Sequence, residues 1–170
     1  GRFSAEARLF FSPNGKRLLV ADPSAAPSTV WNTETGLELG SLLTRVDRAA
    51  FNQDGTRVAT VSGDNVARVW SANSGREILA LQGHAAIVRF IAFSPDSQRL
   101  YTASEDGAVK IWRSALGRES IRTGSLIEGV AFSPDGKRIA VANADDQATV
   151  WDLDSGRQAF TLRGHLYRVS

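Results

Sequence analysis

The sequence predicts an all-β fold built from four copies of one unit of about 40 residues, and three observations predict it. A phenylalanine-led turn recurs as Phe11-Ser12-Pro13-Asn14-Gly15, Phe51-Asn52-Gln53-Asp54-Gly55, Phe93-Ser94-Pro95-Asp96-Ser97 and Phe132-Ser133-Pro134-Asp135-Gly136. An arginine follows each phenylalanine by six positions (Arg17, Arg57, Arg99, Arg138), and a tryptophan then closes each unit's third apolar run (Trp31, Trp70, Trp112, Trp151). No unit contains the long 3.6-period apolar stripe of a helix, and turn signals recur every ten or so residues.

Within a unit the elements follow in order. The run before the turn, as in Arg89-Phe90-Ile91-Ala92-Phe93, and the run after it, as in Arg138-Ile139-Ala140-Val141-Ala142, are short, apolar and bounded by turn residues, which marks them as strands. Proline fixes φ and glycine permits φ > 0, so the connecting piece makes each pair a hairpin. A third strand ends at the tryptophan (Val109-Lys110-Ile111-Trp112). A fourth follows a second turn signal, Thr35-Gly36, Ser74-Gly75, Leu116-Gly117 or Ser155-Gly156. The inner strands lack a clean polar–apolar alternation, so both faces of each four-stranded antiparallel sheet are expected to be covered, as when sheets stack on one another.

Composition narrows the function classes. The chain has 170 residues, 42% of them hydrophobic and 22% charged, which fits a folded domain. No apolar run approaches membrane-spanning length, so no membrane partner is expected. There is no cysteine, which removes disulfides and thiolate chemistry, and a cytoplasmic setting is consistent with this. The net charge is +2, with acids interleaved among the basic residues, whereas a nucleic-acid surface would cluster them. No Gly-x-Ser-x-Gly elbow, phosphate-cradling glycine loop or His-rich zinc site occurs, and no cofactor is expected. Asp152-Leu153-Asp154-Ser155-Gly156 lacks the later bidentate glutamate of a calcium loop and reads as a solvated turn.

With the four-strand unit, the Phe-Ser-Pro-Asp-Gly turn and the Trp-terminated strand in place, the chain resembles the WD40 repeat family of β-propellers. Gly83-His84 and Gly164-His165 match the family's repeat opening and Trp151-Asp152 its closing, while Trp31-Asn32, Trp70-Ser71 and Trp112-Arg113 keep only the tryptophan. The resemblance implies blades at residues 2–41, 42–83, 84–122 and 123–164, with 165–170 opening a fifth. It also implies a structural hydrogen-bond network in each blade, joining a His before the first strand, a Ser or Thr on the second, an Asp in the following turn and the Trp. His84, Thr102, Asp106 and Trp112 match it whole, with Ser104 as an alternative to Thr102 if the register slips by two. The second repeat keeps Thr60, Asp64 and Trp70 but has Leu42 at the His place. The fourth keeps Asp145 and Trp151, with Thr123 and Val141 at the other two places, and the first has Arg2 and Ala25 at the His and Asp places. The second and fourth blades are expected to lean on packing instead, and the first is the most divergent.

Four such blades imply an open arc or half of a larger ring, because closing a ring with four would need about 90° per blade. The missing blades would come from a longer parent chain, or from a second copy that completes an eight-bladed homodimeric ring. For function, the resemblance implies a protein-binding scaffold or sensor whose partner docks on the loops that share the ring's top face. Candidate contacts there are Arg45, Ile87, Glu105, Leu126 and Asp146. The self-assembling half-propeller is a second reading. A third is an enzyme using channel-facing acids such as Glu105-Asp106 and Asp145-Asp146, although one acid of each pair is already accounted for by the blade network.

Overall fold

A computed structural model describes residues 7–22, 26–114, 117–123, 126–145 and 147–163. The implied fifth unit at 165–170, Arg2, Ala25 and Asp146 lie outside the described residues.

Among the described residues, sixteen strands form four antiparallel sheets, each a simple meander. The first sheet holds β1 (Arg8–Phe11), β2 (Arg17–Ala21), β3 (Ser28–Asn32) and β4 (Glu38–Leu42). The second holds β5 (Arg48–Phe51), β6 (Arg57–Val61), β7 (Ala67–Ser71) and β8 (Glu77–Leu81). The third holds β9 (Val88–Phe93), β10 (Leu100–Ser104), β11 (Ala108–Ser114) and β12 (Gly117–Arg122). The fourth holds β13 (Ile127–Phe132), β14 (Arg138–Asn143), β15 (Gln147–Asp152) and β16 (Gln158–Leu162). There is no helix among the described residues, and the sheets do not close on one another.

The recurring turn does what its residues predict. Ser12, Asn52, Ser94 and Ser133 each accept, at the backbone carbonyl, the N–H of the residue three positions on. The last turn residue takes a positive φ, as glycine at 15, 55 and 136 and as Ser97 at 59°. The second hairpin signal holds in three sheets and changes in the third, where β11 continues past Trp112 to Ser114 and β12 already begins at Gly117. A bulge between Trp112 and Ser114 accommodates the longer ladder.

Consecutive sheets stack face to face, with the first strands innermost: β1 lies against β5, β5 against β9, and β10 against β13. Burial on both faces removes the alternation from the central strands, and β10 is buried along its whole length. Each interface has one composition. The tryptophan-bearing face of one sheet meets the opposite, apolar face of the sheet before it. Trp70 and Val58 pack with Leu19 and Val30, while Trp112 and Leu100 pack with Ala59 and Val69. Between the third and fourth sheets, Ile139, Val141 and the half-buried Trp151 lie against Tyr101, Val109 and Ile111.

Candidate functional site

Two arrangements of polar side chains stand out, one inside the sheets and one at their mouth. The first begins with the indole N–H of tryptophan, which must find an acceptor once it is buried. Trp112 donates to Thr102 Oγ1 at 2.9 Å, and His84 Nε2 lies 2.7 Å from the same hydroxyl. His84 Nδ1 lies 2.9 Å from Asp106 Oδ2, which also accepts the Ala85 N–H at 2.9 Å, and Asp106 Oδ1 accepts the Ala108 N–H at 3.0 Å.

Burial lowers the basicity of His84, and the hydrogen bond and charge of Asp106 offset this only in part. Burial works against ionising Asp106, but the Ala85 N–H and the His84 donor outweigh it and hold the carboxyl below the usual range. A neutral imidazole next to a carboxylate fixes the direction of the chain. Nδ1–H donates to Asp106, Nε2 accepts the Thr102 hydroxyl proton, and the Thr102 oxygen accepts the indole N–H, so every donor is satisfied.

The other sheets solve the same problem differently. Trp70 donates to Thr60 at 2.8 Å, but Asp64 does not join them: it accepts from Ser62, from the Val66 N–H and from Arg68. Leu42, at the histidine place, is fully buried instead. Trp31 and Trp151 donate to Thr29 and Thr149 on their own strands, at 2.8 and 3.0 Å. In those two sheets Val20 and Val141 leave the indole's acceptor to a threonine one strand over, so in the fourth blade a hydrogen bond joins the packing expected there. Asp145 is exposed, and Thr123 ties back to the carbonyl of Gly107 in the preceding sheet. Ser104 does not substitute for Thr102; its hydroxyl donates to the Ala86 carbonyl.

The second arrangement is a cleft of about 570 Å³ where the first strands of the second, third and fourth sheets emerge. Phe90, Ile91, Leu126 and Ile127 give it an apolar lining; Arg48, Arg89, Glu105 and Glu128 give it charge. Arg89 pairs with Glu105 on the third blade's side of the cleft. Glu128 falls where the β13–β14 register shifts, and Arg89 where β9–β10 shifts, so bulges re-aim both side chains at the mouth. Arg48, which lines the second blade's side of the cleft, donates to the Asp47 carbonyl, and Arg8 of the first blade, outside the lining, reaches the same oxygen. Of the loop residues predicted to meet a partner, the cleft brings together Glu105 and Leu126. Arg45 and Ile87 are exposed but do not line it.

Comparison with family models assigns residues 40–71, 75–113 and 119–152 to the WD domain, G-beta repeat. Three consecutive repeat matches cover most of the chain. The chain belongs to the WD40 repeat family. A comparison with curated proteins returned no match.

The four sheets are thus WD40 blades, and WD40 repeats generally mediate protein–protein contacts and are typically non-enzymatic. Among the described residues, no group of three or more His, Asp or Glu could hold a metal ion, and no helix is long and apolar enough to cross a membrane. The functional residues missed in the sequence are Thr29 and Thr149, and the arginines of the innermost strands. The former carried a signal, since each is two residues before its tryptophan, where the second and third blades have Arg68 and Lys110.

Proposed function

We propose that this chain is a non-enzymatic protein-binding scaffold or sensor region, and that its partner docks in the cleft at the mouth of the second, third and fourth blades. The observation that carries the reading is the cleft's composition: an apolar floor at Phe90 and Leu126, with the Arg48 guanidinium and the carboxyl groups of Glu105 and Glu128 around it. Such a site suits an extended segment that lays an apolar side chain on the floor and turns a carboxylate towards Arg48. The absence of cysteine supports a cytoplasmic setting.

Selection of a displayed random-peptide library on the full chain, with Leu126→Asp as the counter-target, tests this. Leu126 is exposed, so the substitution should leave the fold intact. Enriched peptides that lose binding to Leu126→Asp and to Arg48→Glu support the proposal, and peptides that bind all three proteins equally contradict it.

A further inference from the structure

The phenylalanine-led turn carries aspartate at its fourth position in the second, third and fourth blades, as Asp54, Asp96 and Asp135. In the first blade that position is Asn14, and Gly15 follows it as the one Asn-Gly pair in the sequence. Asparagine before glycine is the pairing most open to deamidation, because no side chain on the glycine hinders attack of its amide nitrogen on the carboxamide.

The carboxamide at this place does one thing a carboxylate cannot. Asn14 Oδ1 accepts the Ser12 hydroxyl at 2.7 Å and the Lys16 N–H at 3.0 Å. Asp96 and Asp135 make the same pair of bonds, from Ser94 and the Gln98 N–H and from Ser133 and the Lys137 N–H. Asn14 Nδ2 then adds a bond of its own, donating to the Asp54 carbonyl of the second blade at 2.7 Å. The two turns are seated closely: a Cβ on Gly55 would stand 3.2 Å from Asn14 Oδ1 and 3.1 Å from Ser12 Cβ.

The same contacts hold the reaction back. Asn14 is exposed, so water reaches it. For deamidation the Gly15 nitrogen must lose its proton to solvent base and bond Asn14 Cγ. The bond from Cγ to Nδ2 then breaks, and that nitrogen leaves as ammonia. Water opens the resulting succinimide to aspartate or isoaspartate. In the folded turn the Gly15 N–H is engaged with the Ser12 carbonyl at 2.9 Å, and both ends of the carboxamide are held.

We propose that Asn14 is a deamidation site gated by the contact between the first two blades: it converts when that contact opens, and conversion removes the bond that joins the two turns. The aspartate product places an acceptor where Nδ2 donated to the Asp54 carbonyl, so the two oxygens repel and the first blade loosens from the second. Isoaspartate adds a backbone atom between residue 14 and Gly15 and displaces the turn further.

Incubation of the full chain at mildly alkaline pH, with aspartate and isoaspartate at residue 14 counted by mass spectrometry of its peptides, tests the gate. Folded wild type should convert at least about tenfold more slowly than the same chain in urea, the factor that 1.4 kcal/mol of local opening free energy gives. Ser12→Ala frees Asn14 Oδ1 from the hydroxyl, and Gly55→Ala crowds it from the second blade. Each should raise the folded rate about threefold or more and leave the rate in urea unchanged. Should circular dichroism show Gly55→Ala unfolded, Ser12→Ala alone decides. Equal rates for wild type folded and in urea overturn the gate, as does a folded Ser12→Ala that converts no faster than wild type. Asn14→Asp tests the consequence: it should keep the circular dichroism of wild type, exchange the amides of the first blade faster and leave those of the fourth unchanged. First-blade protection equal to wild type would overturn the role of the carboxamide in joining the blades.

Discussion

Trp70 donates its indole N–H to Thr60 at 2.8 Å, and the cross-strand partner of Thr60 is Arg68. The same two positions are Thr102 and Lys110 in the third blade, Val20 and Thr29 in the first, and Val141 and Thr149 in the fourth. Each blade thus carries one threonine at this cross-strand pair, and it is always the acceptor for the tryptophan.

This exchange is directly testable in the second blade, which has no histidine to complicate it. Thr60→Val leaves a buried indole N–H unpaired and should cost about 1–3 kcal/mol in chemical denaturation. Adding Arg68→Thr, which recreates the arrangement of the first and fourth blades, should recover most of that loss. A double variant no more stable than Thr60→Val would contradict the exchange.

The tryptophans should differ in weight according to their cover. Trp112 is buried between the second and third blades, so Trp112→Ala should destabilise by about 3–5 kcal/mol. Trp31 is half-buried on the rear face of the first blade, against which no described sheet packs, and Trp31→Ala should cost clearly less. Equal losses in urea melts would show that burial does not set the difference.

The third blade should weaken in mild acid. His84 is harder to protonate when folded than its usual value of 6.5, because it is buried, so the unfolded chain binds the proton more tightly. Its contribution is complete above pH 6.5 and is lost as pH falls below that value towards the folded pKa. Asp106, lowered from 3.8, adds a second loss as pH falls through about 3.8 and below. His84→Gln should be less stable than wild type at pH 7 by about 1–3 kcal/mol and should lose less between pH 7 and 5. Parallel pH profiles for the two proteins would contradict the assignment of a neutral, buried imidazole.

Two glycines with the same backbone conformation should respond differently to alanine. Gly36 and Gly75 have φ of 69° and 67°. A Cβ on Gly36 would meet nothing within 4 Å, whereas on Gly75 it would stand 2.5 Å from the Ser41 carbonyl oxygen in the neighbouring blade. Gly36→Ala should cost about 1–2 kcal/mol for the left-handed conformation alone, and Gly75→Ala distinctly more. Thermal melts that rank them equally would show that the blades can separate at no cost.

The repeat made the fold legible, because four copies of one turn fix where strands begin and end. The third-blade network was legible too, since His84, Thr102, Asp106 and Trp112 are in place in the sequence itself. Thr29 and Thr149 were not, because a threonine beside a tryptophan on one strand looks like ordinary β propensity until the valine opposite is seen. Asp64 misled for the opposite reason: it occupies the network's place, but with no histidine to bond it turns to Arg68 at the surface. The cleft at the mouth depended on bulges at Arg89 and Glu128, and a bulge leaves little trace in a short apolar run.

The most direct test of the proposed binding role is to map a library-selected peptide onto the chain by amide chemical shifts. Perturbations centred on Arg48, Arg89, Phe90 and Leu126, and absent in Leu126→Asp, are the predicted result. Perturbations confined to the opposite turns around Pro95 and Asp135, or to the outer strands, would contradict a partner site at the mouth of the blades.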